Sequence, residues 1–215
     1  RTGAVAGLLP VQTFRTDASS GAAVAVTDRV GGETPRLADA GNNTTSATLA
    51  SLTTAVSTAQ SVAPVTLALA DLSGADFGFN FDTIVNVNDA GGGSLRQFIL
   101  NSNTLGNTGL AQAGLTAGVE TAVFMVSDGL AHAGLRAGLA NLLTAGVARI
   151  IVTAALPAIS ASSTRIDGAT QTTNVGNTNN VTLGSGGTVG VDALVLATVA
   201  APEVEIVDGG AVALG

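Results

Sequence analysis

The stretch Asn86-Val87-Asn88-Asp89-Ala90-Gly91-Gly92-Gly93-Ser94-Leu95-Arg96-Gln97-Phe98-Ile99 carries most of the fold information in this 215-residue sequence. Ser94 and Gln97 have the spacing of a capping box, which marks the start of a helix. Leu95, Phe98 and Ile99 form one apolar stripe at helical spacing. The stretch therefore predicts an extended segment, a glycine-rich turn and then a short helix at about 94–103.

Downstream of this stretch, short apolar runs recur between turns rich in Gly, Asn, Thr and Pro. Uninterrupted apolarity predicts a buried strand at 121–126, and leucines at helical spacing predict a second, weaker helix at 133–144. Further strands are predicted at 147–153, 164–167, 181–183, 193–196 and 204–207. Their rhythm fits a solenoid of stacked strands.

Upstream, residues 1–82 show short apolar or alternating runs separated by turn formers. Strands are predicted at 4–11, 22–26, 47–52 and 65–69, which favours a small antiparallel sandwich. Phe77, Phe79 and Phe81 occupy alternate positions, so their rings share one face of a strand. We expect that face to belong to a core.

The predicted fold class is mainly all-β. A β-sandwich-like module at 1–82 precedes a β-helix-like or solenoid-like region at 83–215, which has one or two short capping helices and an insert at about 106–148. A pair of packed β-sandwiches is the alternative architecture.

Two motifs resemble those of bacterial cell-surface proteins with right-handed parallel β-helix repeats. The first is the Asn86 to Ile99 stretch, and the second is Leu156-Pro157-Ala158-Ile159 followed by Ile166-Asp167-Gly168-Ala169-Thr170-Gln171. The resemblance implies that the helix at 94–103 caps the β-helix, that the second motif lies in an early coil, and that the chain is a surface scaffold. Residues 1–82 are similar to small Ig-like or prealbumin-like modules that precede such helices.

Composition excludes several classes of function. The net charge is −7 and basic residues form no stripe, which argues against nucleic acid as a partner. There is no Cys, and no apolar run approaches the ~20 residues of a transmembrane segment.

The abrupt start at Arg1 and end at Gly215 suggest a processed chain or a part of a longer precursor.

Candidates for chemistry are few. His132 is the single histidine, and no nucleophile elbow accompanies it. Asp167, Glu203 and Glu205 are the carboxylates that a sugar-cleaving site would need, with Asp192 and Asp208 in turns, but the chain lacks the Lys, Tyr and Trp that usually bind sugars. We therefore predict no catalytic residues, no enzyme activity and no cofactor.

Calcium is the one metal that the sequence suggests. Oxygen ligands of the kind Ca²⁺ prefers occur in glycine-rich turns at Asn86, Asn88, Asp89 and Asp208. The alternative interpretation is that these side chains bond their own backbone in the turns.

The sequence favours an extracellular or cell-surface structural protein. With 11% charged residues and strand-like termini, it suits a subunit of a self-assembling filament, sheath or surface layer, in which copies of the chain join by β-strand addition. The expected donating segments are 1–13 and 201–214. The alternative is an adhesin module whose loops 106–118 or 172–180 contact cell-wall or surface glycans, and a remote alternative is a polysaccharide-cleaving β-helix enzyme.

Overall fold

The computed structural model describes residues 7–38, 60–69, 71–184 and 186–210. These residues form mainly short β-strands, with two α-helices and one 3-10 helix at Pro35–Leu37. The strands are β1 (Val11–Asp17), β2 (Val24–Val26), β3 (Phe77–Asn80), β4 (Thr83–Ile84), β5 (Glu120–Phe124), β6 (Ala148–Val152), β7 (Thr164–Ile166), β8 (Thr182–Leu183), β9 (Gly187–Val189), β10 (Leu194–Leu196), β11 (Val199–Ala200) and β12 (Val204–Asp208). The helices are α1 (Leu95–Thr104) and α2 (Ala169–Asn174). The predicted mainly-β class is confirmed.

The first part of the chain contains one antiparallel sheet of three strands in the order β2-β1-β3. A strand begins at Val11 and not at residue 4, and the segment 65–69 forms only a single bridge from Val65 to Ala18, so those two strand predictions are wrong in the described residues. Residues 4–6 and the strand predicted at 47–52 lie outside the part of the chain that the structure describes. The strand predicted at 22–26 is present in shortened form as β2.

Parallel pairing organises the later part of the chain. Strands β4, β5 and β7 form one parallel sheet, with Ile84 opposite Phe124 and Ala122 opposite Ile166. Strands β6 and β12 form a second parallel pair, with Ile150 opposite Ile206. The strands predicted at 121–126, 147–153, 164–167, 181–183, 193–196 and 204–207 are all confirmed.

Helix α1 confirms the helix predicted at about 94–103. Its N-cap is Ser94, whose hydroxyl accepts a hydrogen bond from the Gln97 N–H at 3.2 Å. In a full capping box the Gln97 side chain would also accept from the Ser94 N–H. Here the Gln97 amide instead donates to the Gly7 carbonyl and to the Asn101 side chain. The helix start is therefore tied to the chain segment that precedes β1.

The helix predicted at 133–144 is wrong. This segment forms turns and isolated bridges, in which His132 pairs with Leu135 and Thr144 with Val147. Gly134 and Gly138 both have positive φ, a conformation that ends a right-handed helix. Leu135 and Leu139 are nevertheless buried. They lie in successive turns that each bury one leucine, which gives a spacing similar to that of a helix.

Two clusters of buried side chains form the core. The first joins α1 to the parallel strands, and its members are Ile84, Leu95, Phe98, Ile99, Ala122, Phe124, Ile150 and Val152. The second joins the first sheet to the later segments, and its members are Val11, Val30, Val85, Met125, Leu135, Leu139 and Val175. The two predicted regions, 1–82 and 83–215, thus share a core cluster, and the boundary at 82 stays a prediction.

A buried ion cluster makes a second connection between these regions. Glu33 lies 3.5 Å from Arg15 Nε, 3.6 Å from Arg29 Nε and 3.8 Å from an Arg136 terminal nitrogen. Arg136 belongs to the segment 106–148, which the sequence marks as an insert. Glu33 thus connects Arg136 of this segment to Arg15 of the first sheet. Removing Glu33 would leave the arginine charges without their acidic partner.

Candidate assembly surface

A long hairpin between Val181 and Ala200, here called the apolar arm, is the most unusual surface of the structure. At its base β11 pairs with β8, with Val199 opposite Leu183. Towards its tip β10 pairs with β9, with Leu194 opposite Val189. Both pairs are antiparallel and two-stranded, so each strand has one neighbour among the residues that the structure describes.

The local sequence explains why the arm turns at its tip. Gly190 has φ of +73° and Ala193 has φ of +47°, and the Ala193 N–H donates to the Gly190 carbonyl at 3.3 Å. This closes a four-residue turn around Val191 and Asp192. On either side of the turn, β-branched and aliphatic residues favour extended backbone.

The arm exposes its apolar side chains on both faces. Every described residue of the arm except Gly186 is exposed, and no arm residue belongs to either core cluster. Eight aliphatic side chains have exposed fractions from 46% to 102%. They are Val181, Leu183, Val189, Val191, Leu194, Val195, Leu196 and Val199. Asp192 is the only charged residue in the arm.

Strand β3 carries a second exposed apolar surface. Phe77 and Phe79 are 37% and 50% exposed, with ring centroids 6.4 Å apart, so the prediction that this face is a core face is wrong. The opposite face of β3 is covered instead, because the Phe14 ring lies against Gly78, where a Cβ would come within 2.1 Å of it. Packing at Gly78 therefore turns the Phe77 and Phe79 rings towards solvent.

Beside these rings lies an open groove of about 440 Å³, here called the Phe79 groove. It is lined mainly by apolar side chains from three separate segments of the chain. The lining includes Leu8, Pro10, Phe79, Phe81, Leu110 and Ala111, with Asn80 and Asp82. The arm and this groove are both surfaces on which an apolar partner could be bound, as is the exposed stretch around Leu67 and Leu69.

The side chains of the calcium candidates form hydrogen bonds within the protein. Asn86 is fully buried; its amide donates to the Pro35 and Gly92 carbonyls, and its side-chain oxygen accepts from the Asn88 N–H at 3.2 Å. The Asn88 amide donates to the Arg36 carbonyl. Asp208 accepts from the Gly210 N–H at 2.8 Å. Among the described residues, no group of three or more His, Cys, Asp or Glu side chains could hold a metal ion, and calcium stays a prediction.

Asp89 links the first motif to the end of β6. One carboxylate oxygen accepts from Arg96 at 2.6 Å, and the other accepts from the Thr153 N–H at 3.1 Å and from the Thr153 hydroxyl. The Arg96 hydrogen bond and those from Thr153 lower the pKa of Asp89 from 3.8 to about 2. This carboxylate is therefore ionised at neutral pH and bound to protein donors.

The remaining acidic candidates each have partners within the protein. Glu203 is buried and accepts from Thr178 and Asn179. Glu205 pairs with Arg149 at 3.0 Å, and Asp167 pairs with Arg165 at 2.6 Å. Each of these three carboxylates thus has its own protein partners.

The single histidine has a local partner. His132 Nε2 lies 2.9 Å from Asp128 Oδ1. The neighbouring Ser127 hydroxyl accepts from the Gly129 N–H at 3.0 Å, so it is engaged in a backbone turn. Ser127 is fully buried, which leaves its hydroxyl out of reach of a substrate.

The expected strand donors are only partly available. Residues 11–13 lie in β1, where Val11 and Gln12 pair with β3, while β2 pairs with β1 only at 15–17; their role as donors stays a prediction. Residues 204–208 form β12, which has β6 on one side. Residues 1–6 and 211–214 lie beyond the described ranges.

Sequence reasoning missed the apolar arm as the main surface. The available signal was a segment of twenty residues with alternating aliphatic side chains and one charge. Strands of that kind are normally buried, and nothing in the sequence shows that no other described strand covers this pair.

Comparisons with known proteins gave no relative: no family model, no curated protein and no solved structure matches the chain. In the described part of the chain, no helix has the length and apolarity that crossing a bilayer requires.

Proposed function

We propose that this chain is an extracellular structural protein whose copies join by β-strand addition into a filament, sheath or surface layer. The observation that carries the proposal is the apolar arm, a two-stranded hairpin with aliphatic side chains exposed on both faces.

Energetics favour a covered arm. A two-stranded hairpin alone is marginal in water, and three or more strands with a buried face are needed for stability. The eight exposed aliphatic side chains of the arm form a surface of several hundred Å², which is of the order of the ~800 Å² that each partner contributes to a stable interface. A patch of this size on a protein surface marks an interaction site.

Free strand edges supply the means of addition. Among the described residues, each arm strand has one hydrogen-bonded neighbour strand, so its other edge can template a strand of another chain. Charged residues usually protect such edges, and Asp192 at the tip is the only charge in the arm.

The architecture that we propose for residues 83–215 is a short parallel β-helix, consistent with a rigid scaffold. Its support is the parallel register of β4, β5 and β7 and of β6 and β12, which places two strand ladders along the same stretch of chain. Helix α1 packs its buried side chains against both ladders, as a cap would.

The test is the mass distribution of the purified full chain over a range of concentrations, by analytical ultracentrifugation and negative-stain electron microscopy. We expect the wild type to form regular high-mass assemblies. A variant with Leu194→Asp and Leu196→Asp should stay monomeric, because assembly would bury two charges.

A matched control adds two charges, also two residues apart, elsewhere on the exposed surface. Ser160→Asp with Ser162→Asp should assemble as the wild type does, because both serines are exposed and lie outside the arm. A wild-type chain that stays monomeric at all concentrations contradicts the proposal and favours the adhesive module. Repeating the measurement with a calcium chelator tests the calcium prediction separately.

A further inference from the structure

We propose that a small cleft between Arg36 and Arg136 binds a carboxylate group that carries a short aliphatic chain. The cleft has a volume of about 130 Å³ and lies beside the buried ion cluster around Glu33. Its apolar lining includes Pro35, Leu139 and Leu142. No described residue of the apolar arm lines the cleft, so the inference is independent of the proposed self-assembly.

Arg36 brings a positive charge to this cleft. Within the described ranges, every other arginine has a carboxylate within 3.8 Å. The Arg36 side chain is exposed and lines the cleft. A guanidinium group forms strong hydrogen bonds with a carboxylate, often through two parallel N–H···O contacts. A carboxylate bound in the cleft therefore supplies the acidic partner that the described residues do not give Arg36.

Arg136, on the other side of the cleft, is only partly neutralised. Its carboxylate partner among the described residues is Glu33, at 3.8 Å, and Glu33 also lies 3.5 Å from Arg15 and 3.6 Å from Arg29. These separations are longer than hydrogen bonds. One carboxylate is thus shared by three guanidinium groups, which leaves Arg136 able to bind a second carboxylate.

The backbone on both sides of the cleft is held in place by the rest of the protein. The Arg36 carbonyl accepts a hydrogen bond from the Asn88 amide of the first motif at 2.9 Å. The Arg136 guanidinium donates to the Glu33 carbonyl, and the preceding residue, Leu135, is buried. Because these segments are already ordered, a ligand that binds between them does not have to order them, and the entropy cost of binding is lower.

Charge and size define the class of ligand. The Glu33, Arg36 and Arg136 side chains leave one net positive charge in the lining. This charge suits a single carboxylate better than sulfate, because the Glu33 carboxylate repels the second negative charge. The volume is below the ~300–1,000 Å³ of clefts that bind drug-sized molecules, so a group of few atoms fits. Leu139 and Leu142 offer apolar contacts to its alkyl chain.

The experiment measures the binding of butyrate to the full chain by saturation-transfer-difference NMR, which detects weak ligands on monomeric and assembled protein alike. We expect saturable binding of butyrate and no binding of butyramide, which has a similar shape without the charge. Sulfate should displace butyrate more weakly than acetate does. Butyramide that binds as tightly as butyrate, or sulfate that competes better than acetate, would overturn the assignment of a carboxylate site.

Variants at Arg36 locate the binding. Arg36→Gln should weaken butyrate binding about tenfold or more, because a hydrogen-bonded charge pair is lost. Arg36→Lys keeps the charge but loses the two-point contact, so its affinity should lie between those of wild type and Arg36→Gln. Matching circular dichroism spectra and urea midpoints show that the variants are folded.

The matched control is Arg165→Gln, which removes a positive charge from a side chain that is 60% exposed and lies outside the cleft. It should bind butyrate as the wild type does. Equal weakening by Arg165→Gln and Arg36→Gln would show that net charge alone attracts the ligand, and the site would be overturned.

Two sources present this chemistry: a free short-chain carboxylate and the C-terminus of a peptide that ends in a small aliphatic residue. Acetyl-dialanine, with a free or an amidated C-terminus, distinguishes them. Tighter binding of the free-acid peptide than of butyrate identifies a peptide C-terminus as the ligand, and weaker binding identifies a free carboxylate. A wild-type chain that binds neither probe overturns the inference, whereas the proposed self-assembly is tested separately by its mass distribution.

Discussion

At the scale of single residues, Asp89 shows how the first motif is used. Its carboxylate holds Arg96 of α1 on one side and the end of β6 on the other. Arg96 in turn donates to the carbonyls of Ala154 and Ala155. The Asp and Arg of the motif therefore connect α1 to the second parallel ladder, which explains why both charges occur in a chain with so few.

The acid dependence of stability follows from the Asp89 pKa. The folded-state pKa of about 2 is below the ordinary 3.8, so the contribution of Asp89 is present above about pH 4 and is lost as the pH falls towards about 2. We expect Asp89→Asn to lower the free energy of unfolding by about 1 kcal/mol at neutral pH, since a part-exposed ion pair is screened by solvent. Urea titrations at neutral and acid pH measure this difference.

The difference between wild type and variant should shrink as the pH falls from about 5 to about 2. The control is Asp71→Asn, which changes an exposed carboxylate. A difference for Asp89→Asn that is the same at both pH values would show that the effect comes from something other than the ionised carboxylate.

At the scale of elements, α2 takes the place of a strand beside β5. β7 pairs with β5 only as far as Ala122. Beyond it, the Phe124 N–H donates to the Thr170 hydroxyl, and the Gln171 amide both accepts from the Val126 N–H and donates to the Val126 carbonyl. Asn174 donates to the Phe124 carbonyl. Side chains of α2 therefore hydrogen-bond the backbone groups on the edge of β5 that another strand would otherwise pair with.

The variant Gln171→Leu tests whether these side-chain hydrogen bonds stabilise the protein. Leucine fills similar space but leaves the buried Val126 N–H and C=O without partners, at about 1–3 kcal/mol for each group. We therefore expect the free energy of unfolding to fall by about 2–6 kcal/mol, measured by chemical denaturation. Thr172→Leu, at an exposed position of the same helix, should have little effect. A small loss for Gln171→Leu would mean that water replaces the amide.

The sequence predicted elements where local signals were strong. The Ser94 cap with its apolar stripe located α1, and apolar runs such as Thr121 to Val126 located strands. It failed at 133–144, because leucines buried from successive turns have nearly helical spacing. It also missed α2, whose sequence Ala169–Asn174 has no apolar stripe and which is held by polar side chains reaching a distant strand.

At the scale of the whole molecule, what the sequence could not show is which apolar faces stay uncovered. Alternation at Phe77 and Phe79 predicts one apolar face, but only the packing of Phe14 on Gly78 decides that this face meets solvent. The arm is a similar case, since its exposure depends on the absence of a third strand among the described residues. The candidate surface therefore follows from tertiary pairing and not from local pattern.

An assembly joined through the arm should respond to conditions as apolar contacts do. Hydrophobic association weakens on cooling and strengthens in sulfate, whereas contacts between charges weaken with added salt. We expect assembly of the wild type to increase from about 4 °C to about 30 °C and with ammonium sulfate, and to be nearly unchanged by sodium chloride around physiological ionic strength. Sedimentation of the assembled fraction measures all three. Dissolution by moderate sodium chloride would instead assign the contact to charged groups, for which the arm offers only Asp192.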